Sequence, residues 1–176
     1  MAYVKYTWDT GVGGATPISK DNLNHLETQY DESITLVHKT ADETVNNSIV
    51  LQNDDELLFA MAANEVWFIT LITYMNSSAV ADAVVTYVLP ALAVGGDVVQ
   101  YWDGDGTRIA GGVNFGASSL TILGGGAQSR VNSWWHILVI NGANAGNFQV
   151  QWAQNVAEAT DTKMLIGSCL FAHQIV

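Results

Sequence analysis

Residues 66–74 read Val-Trp-Phe-Ile-Thr-Leu-Ile-Thr-Tyr, and this stretch decides the fold. Apolar residues occupy both sets of alternating positions, and the β-branched and aromatic types among them are those enriched in strands. Because successive side chains of a strand point to opposite sides, both faces of this one are apolar. The stretch is therefore predicted to lie centrally in a β-sheet, covered on both sides.

The period of two continues on either side of this stretch. Asn, Asp, Gly and Ser clusters separate the apolar runs at 53–55, 76–78, 95–97, 103–106, 124–126 and 141–142. The runs predict strands at 44–51, 56–61, 66–74, 83–89, 98–102, 118–123, 133–140, 147–153 and 162–171. Many short strands with almost no helical pattern predict an all-β fold, with an antiparallel jelly-roll sandwich as the first choice.

The chain before this region has a different pattern. Residues 1–18 combine Tyr3, Tyr6 and Trp8 with several glycines, which predicts an extended N-terminal arm. Ser19 is a suitable N-cap, and a helix is predicted over 19–37. Its narrow stripe consists of Leu23, Leu26, Tyr30, Ile34 and Val37.

The narrow stripe leaves two interpretations open. It suits docking against one partner surface, and it also suits packing on the chain's own domain. We expect two parts: an arm and helix over 1–40 that anchor the protein, and a jelly-roll trimerisation domain over 41–176.

Composition limits the classes of function. The 17 acidic residues against 6 Lys and Arg give a net charge of −11, and the few scattered cations argue against nucleic-acid binding. Only 13% of residues are charged, against about 25% in a typical chain, so we expect part of the surface to contact other copies. The sequence shows no signal peptide and no membrane span, so we expect neither secretion nor a membrane partner. Cys169 is the single cysteine and is expected to be a buried thiol.

The tryptophans indicate where such a contact lies. Trp134 and Trp135 are adjacent, so one of them must point inward and the other outward. The outward one is expected to cover a subunit interface, with carbohydrate stacking as the alternative. We therefore expect Trp67, Trp134 and Trp135 at a trimer interface.

No catalytic or metal-binding pattern emerges. Residues 103–107 begin like a calcium loop, but Arg108 replaces the required Gly and Asn114 replaces the bidentate Glu. The spacing of the histidines is not that of a metal site, and no nucleophile or nucleotide motif occurs. We expect no enzyme activity, no metal and no cofactor, although carboxylates paired from distant strands would be invisible at this level. The histidines are His25, His38, His136 and His173.

Two parts of the chain resemble known proteins. Residues 7–11, Thr-Trp-Asp-Thr-Gly, lead into P-I-S-x-x-N-L-N-H-L-E over 17–27, which resembles the N-terminal segment of many structural proteins of tailed bacteriophages. The runs at 54–59, 148–155 and 167–168 are similar to a group of phage virion proteins with trimeric jelly rolls like the tumour necrosis factor fold. Together with the stripe, the resemblance implies capsid-anchoring roles for Trp8, Pro17, Ile18, Leu23, Leu26 and Tyr30.

The resemblance implies a non-enzymatic virion component. The first expectation is a capsid decoration (cement) protein, a homotrimer that binds the major capsid protein on the outer capsid surface and stabilises the head. It would be assembled in the host cytoplasm. The alternatives are a tail or baseplate protein that recognises host surface carbohydrate, and a glycan hydrolase.

Overall fold

The computed structural model describes residues 20, 21, 23–26, 34–102, 108–115, 120–122 and 130–175. The strands are β1 (Ile34–His38), β2 (Glu43–Val45), β3 (Gln52–Met61), β4 (Val66–Asn76), β5 (Ala83–Val88), β6 (Val94–Trp102), β7 (Arg108–Phe115), β8 (Leu120–Ile122), β9 (Arg130–Ile140), β10 (Gly146–Gln154), β11 (Thr162–Met164) and β12 (Cys169–Gln174). The short helical segment comprises Lys20, Asp21 and residues 23–26.

The strands form two sheets that pack face to face. The larger sheet has the order β1-β12-β4-β9-β6-β7, with β11 pairing both β4 and β2. The smaller sheet has the order β3-β10-β5-β8. The paired strands run antiparallel, so the expected all-β, antiparallel, jelly-roll-like sandwich is confirmed.

Strand β4 occupies the position that its sequence predicts. It lies between β12 and β9, and its register with β9 extends over its whole length, from Val66 opposite Ile140 to Asn76 opposite Arg130. Both of its edges are therefore paired, as expected for a strand that is apolar on both faces.

Aromatic side chains from both sheets fill the core. Phe148 of the smaller sheet stacks on Phe59 at a centroid distance of 5.6 Å and on Tyr87 at 5.3 Å. Tyr87 also meets the edge of Trp135 from the larger sheet at 6.1 Å. Offset and edge contacts of this kind each contribute about 0.5–1.5 kcal/mol beyond simple area burial. They connect the two layers at the centre of the sandwich.

The expected helix over 19–37 is wrong in its last part. Residues 34–37 belong to β1, which pairs with β12. The run Ile34-Thr-Leu-Val37 is rich in β-branched residues, which favour a strand once a partner edge is present. The chain divides into two compact units between Ile34 and Thr35, and the second unit contains both sheets.

Several predicted strand limits also change. The strand expected at 44–51 ends at Val45, and the one expected at 162–171 is split between β11 and β12 by a turn in which Gly167 has a φ of 91°. Strand β7 was not predicted, and the turn at 141–142 is confirmed. The turns expected at 103–106 and 124–126 lie outside the described residues.

Two other expected turns lie inside strands. Residues 53–55 belong to β3, where the Asp54 carboxylate accepts the backbone N–H groups of Glu56 and Leu57 at 3.0 and 2.8 Å. Residues 95–97 belong to β6. Glycine suits that strand because a Cβ on Gly95 would lie 2.9 Å from Leu89 Cδ1. In both segments the residue types favour a turn locally, but pairing with neighbouring strands holds the backbone extended.

A buried ion pair ties the loop after β1 to the smaller sheet. Lys39 is 1% exposed, and its Nζ donates to both carboxylate oxygens of Asp54 in β3 at 2.9 Å. It also donates to Glu43 Oε2 at 2.9 Å. Burial lowers the pKa of Lys39, but the hydrogen bonds and charges of these two carboxylates outweigh it and raise that pKa above 10.5.

Candidate functional site

One side of the larger sheet carries large apolar side chains that the fold leaves exposed. Side chains alternate along a strand, so the even-numbered residues of β4 and β9 and the odd-numbered residues of β12 point away from the core. The apolar members of this set, called the outer apolar face below, are Val66, Phe68, Ile72, Tyr74, Trp134, Leu138, Ile140 and Phe171. Six of these side chains are between 40% and 52% exposed.

The strand register makes this surface continuous. Phe68 of β4 pairs with Leu138 of β9, and Ile72 pairs with Trp134. Phe171 of β12 extends the surface on the other side of β4. Side chains at directly paired positions have Cβ atoms about 4.5–5.5 Å apart, so they contact one another across the strands.

The outward side of the smaller sheet has a different character. It presents the amides of Asn147, Gln149 and Gln151 along β10, and Gln151 Nε2 donates to Asn53 Oδ1 at 2.8 Å. Among the described residues of β3, β5 and β10, Val88 is the exposed large apolar side chain. The smaller sheet therefore has a surface suited to water, whereas the outer apolar face has a surface suited to a protein partner.

Charge is distributed in the same unequal way. Strands β4, β9 and β12 contain no Asp or Glu, and their one formally charged residue is Arg130 at the start of β9. The chain as a whole carries 17 acidic residues. These three strands thus bring no carboxylate of their own to a contact with another acidic protein, which lowers the charge repulsion there.

A histidine lies in the middle of the outer apolar face. The imidazole of His136 stacks on the ring of Phe68 at a centroid distance of 5.9 Å and an interplanar angle of 13°. Its Nδ1 lies 3.4 Å from Thr70 Oγ1. A second histidine, His173 of β12, pairs with Phe68 from the other side.

The structure corrects the interface role expected for Trp67. Its side chain is 4% exposed and packs on Phe59 at a centroid distance of 4.9 Å. Its Nε1 donates to Glu65 Oε2 at 3.0 Å. Trp67 is therefore a core residue, because the odd-numbered positions of β4 face the smaller sheet.

The adjacent tryptophans point to opposite sides, as their spacing predicts. Trp135 is fully buried and its Nε1 donates to Ser133 Oγ at 2.8 Å, so the expectation that it belongs to a subunit interface is wrong. Trp134 is 44% exposed on the outer apolar face. Of the three tryptophans expected at an interface, Trp134 is the one whose ring is exposed there.

The expected anchoring residues fall mostly outside the described residues. Leu23 is half-buried and Leu26 is 59% exposed, both in the short helical segment. The others are Trp8, Pro17, Ile18 and Tyr30. The anchoring role of all six residues stays a prediction.

The sequence interpretation missed most of the outer apolar face. Phe68, Leu138, Ile140 and Phe171 belong to it, and none of them was singled out. Their signal was present, because residues 66–74 are apolar on both sides. The sequence did not show which side of this strand faces the core. The interface prediction therefore named tryptophans and not the side chains that are exposed in the structure.

A small cleft lies at one end of this face. It has a volume of about 290 Å³ and is lined by Asp42, Tyr74, Arg130, Leu165 and Ile166. Asp42 Oδ1 accepts the backbone N–H of Ile166 at 2.8 Å. Within the described part of the chain, no carboxylate lies within ion-pair distance of the Arg130 guanidinium. The cleft thus combines an aromatic ring, an unpaired cation and a carboxylate.

Cys169 lies at the border of the same face. It pairs with Ile72 and is half-buried, so the expectation of a fully buried thiol is wrong. Its partial burial raises the pKa of the thiol. The reaction rate of this thiol with an added reagent therefore depends on whether the surface is covered.

Two other kinds of site are absent from the described residues. No group of three or more His, Cys, Asp or Glu side chains there is arranged to hold a metal ion. No helix in the same residues has the length and apolar character needed to cross a bilayer.

The comparisons with known proteins do not identify the chain. No family model and no curated protein matches it. Among solved structures, it is similar to a chain described as "Structure of infectious bursal disease virus Gt strain", with 10% identity and a TM-score of 0.22. The match covers 82% of this chain but only 42% of the viral chain. A likeness at this TM-score carries no argument about fold or function.

Proposed function

We propose that this chain is a non-enzymatic structural component of a tailed-phage particle, a decoration protein that binds the outer capsid surface as a homotrimer. The observation that carries the proposal is the outer apolar face, for which a second copy of the chain is the partner. The resemblance of residues 17–27 to phage structural proteins supports the particle, and the similarity to trimeric phage jelly rolls supports the number three. The major capsid protein is the proposed partner of the assembled trimer.

Energy and charge both favour a second copy on this face. Fully burying a side chain of this size stabilises by about 1.5–3 kcal/mol, and these side chains are already about half covered, so each contributes on the order of 1 kcal/mol. Each face has six exposed large apolar side chains, and the summed free energy of burying them is enough to stabilise a specific contact. Because the three strands contain no Asp or Glu, a contact through them brings no carboxylates of two chains of net charge −11 directly together.

The mass in solution tests the trimer. Light scattering after size exclusion at micromolar concentration is expected to give three times 18.9 kDa. Leu138→Asp should shift the mass to that of the monomer, because the new carboxylate would be buried in the contact. The matched control is Val88→Asp, at a position of similar exposure on the smaller sheet, 42% against 44%, which should leave the mass unchanged. A monomeric wild-type chain would refute the trimer.

Cys169 gives a second measurement on the unmodified chain. Its thiol lies beside Ile72, so the trimer contact should slow its reaction with a maleimide. We expect the rate to rise on dilution below the dissociation concentration, and to be high at all concentrations in Leu138→Asp. A rate that does not depend on concentration while the mass changes would place the contact elsewhere.

Binding to the particle tests the location. The protein should add to phage heads that lack it, and Leu26→Asp should weaken the addition without changing the mass, since Leu26 is 59% exposed in the expected anchor. Val88→Asp serves again as the control. Wild-type trimer that fails to add to such heads would contradict the decoration role.

Host carbohydrate recognition by a tail-associated protein is the second candidate, and the cleft favours it. The Tyr74 ring offers a stacking surface, while Arg130 and Asp42 offer a cation and an acceptor for sugar groups. Saturation-transfer NMR with host surface polysaccharide, on wild type and on Arg130→Gln, tests this function. Transfer that depends on Arg130, in a protein that does not add to heads, would favour the tail over the capsid.

A further inference from the structure

The outer apolar face has an ionisable group at its centre. His136 stacks on Phe68, lies within 3.4 Å of Thr70 Oγ1 and has Trp134 and Leu138 two residues away on the same side of β9. An imidazole free in water takes up a proton near pH 6.5. A partner copy that covers the outer apolar face would therefore cover an imidazole, the type of side chain that can gain a charge in mild acid.

Among the described residues, the strands around His136 offer no compensating negative charge on this side of the sheet. On β12, the outward-facing titratable residues are Cys169 and His173, and on β9 the other one is Arg130. On β4 the outward-facing titratable residue is Tyr74. None of these side chains is a carboxylate.

The neighbouring strand β6 does not supply a carboxylate to this side either. Asp97 is buried and accepts the hydroxyl of Tyr87 at 2.6 Å, on the core side of the sheet. The residue that pairs with His136 in the register is Val98. Protonation of His136 would consequently place in the contact a charge that no side chain of the described strands compensates, and desolvation of such a charge is costly.

We propose that His136 makes the subunit contact acid-labile, so that protonation of this ring dissociates the trimer. The proposal rests on the proposed function, because it requires that the face be covered by other copies. The neutral ring packs as an aromatic side chain against Phe68. A protonated ring is better solvated in the monomer, where water reaches it, than in the trimer, where a partner covers it. Proton uptake therefore shifts the population toward monomer.

The expected size of the effect follows from linkage. If burial in the contact disfavours the charged ring tenfold relative to water, each protomer's association is weakened by about tenfold in acid. A trimer contains three such rings, so the association constant should fall by roughly a thousandfold between pH 7.5 and 5.0 from His136 alone.

The experiment is light scattering after size exclusion at pH 7.5 and 5.0, over a dilution series, on the full chain. We expect wild type to be trimeric at pH 7.5 and to shift toward monomer at pH 5.0, with an unchanged far-ultraviolet circular dichroism spectrum. His136→Gln keeps a neutral polar group near Thr70 and should remain trimeric at both pH values. His25→Gln, in the short helical segment, is the matched control and should dissociate like wild type.

The outcomes separate this proposal from the proposed function. A trimer at pH 7.5 that persists unchanged at pH 5.0 overturns the acid-labile contact and leaves the decoration role standing, whereas a monomer at pH 7.5 overturns both. Loss of the circular dichroism signal at pH 5.0 also overturns it, because the acid effect would then act on the fold. If His136→Gln does not form a trimer, His136→Phe, which preserves the ring stack, takes its place. An acid-labile His136→Phe trimer would also refute the role of His136.

Discussion

Replacing Lys39 by methionine is expected to destabilise the β-sandwich strongly, because it leaves Asp54 charged and buried. Lys39 Nζ donates to both oxygens of Asp54, whose side chain is 0% exposed. Removing one partner of a buried ion pair costs about 3–5 kcal/mol. Asp54 Oδ1 keeps the two backbone N–H groups of Glu56 and Leu57, so we expect the lower end of that range. At about 2–4 °C per kcal/mol for a chain of this size, Tm should fall by roughly 6–12 °C.

The measurement is thermal and urea unfolding at pH 7, followed by tryptophan fluorescence. Wild type and variants must be compared at one protomer concentration, because association stabilises the folded chain by mass action. Lys163→Met is the matched control, since Lys163 is 35% exposed and pairs with Asp161 at 3.9 Å. Its loss should cost less than about 1 kcal/mol.

A double variant separates the charge from the lost side chain. In Lys39→Met with Asp54→Asn, the amide oxygen can still accept the two backbone N–H groups, but no buried charge remains. We expect the double variant to recover most of the lost stability relative to Lys39→Met alone.

The pH dependence has a definite sign. The folded-state pKa of Lys39 is raised above 10.5, so its contribution is fully present below pH 10.5 and is lost as the pH rises through the higher folded value. The gap between wild type and Lys39→Met should therefore close only in strong alkali. A Lys39→Met protein that unfolds within about 1 kcal/mol of wild type at pH 7 would refute the reasoning, as would a double variant less stable than the single one.

Three further outcomes are expected. Trp135→Ala should cost about 3–5 kcal/mol of unfolding free energy in urea titrations, because its side chain is fully buried; a loss below 1 kcal/mol would contradict its core position. Tyr87→Phe should cost about 1–3 kcal/mol by removing a donor to buried Asp97, and a neutral effect would contradict that bond. Hydrogen bonds from Thr40 lower the pKa of Glu56, so its contribution is present above pH 4.5 and lost as the pH falls through the lowered folded value. Glu56→Gln should accordingly flatten the acid side of a plot of Tm against pH, and an unchanged slope there would count against the contact.

Side-chain alternation alone determined part of the candidate surface. Adjacent positions of a strand point to opposite sides, which required one of Trp134 and Trp135 to face outward. Residues 66–74 had no polar side, which required a central strand. Neither result depends on the rest of the fold, so both could be derived from the sequence.

Tertiary structure decided which side of that strand is the core. Both sides of β4 are apolar, and whether Trp67 or Phe68 turns inward depends on where the smaller sheet packs. The sequence choice of Trp67 as an interface residue was wrong for this reason. It also follows that the outer apolar face could be identified only after the core was known.

Long-range pairing decided the other features that the sequence did not predict. Ile34–His38 fits a helical stripe locally but becomes β1 because β12, more than 130 residues later, supplies the edge on which it pairs. Lys39 and Asp54 are 15 residues apart and meet only because folding brings the loop after β1 onto β3. Alternation and charge are properties of neighbouring residues, and the sequence alone determined them here. Burial and pairing are properties of segments that meet only on folding, and they decided the rest.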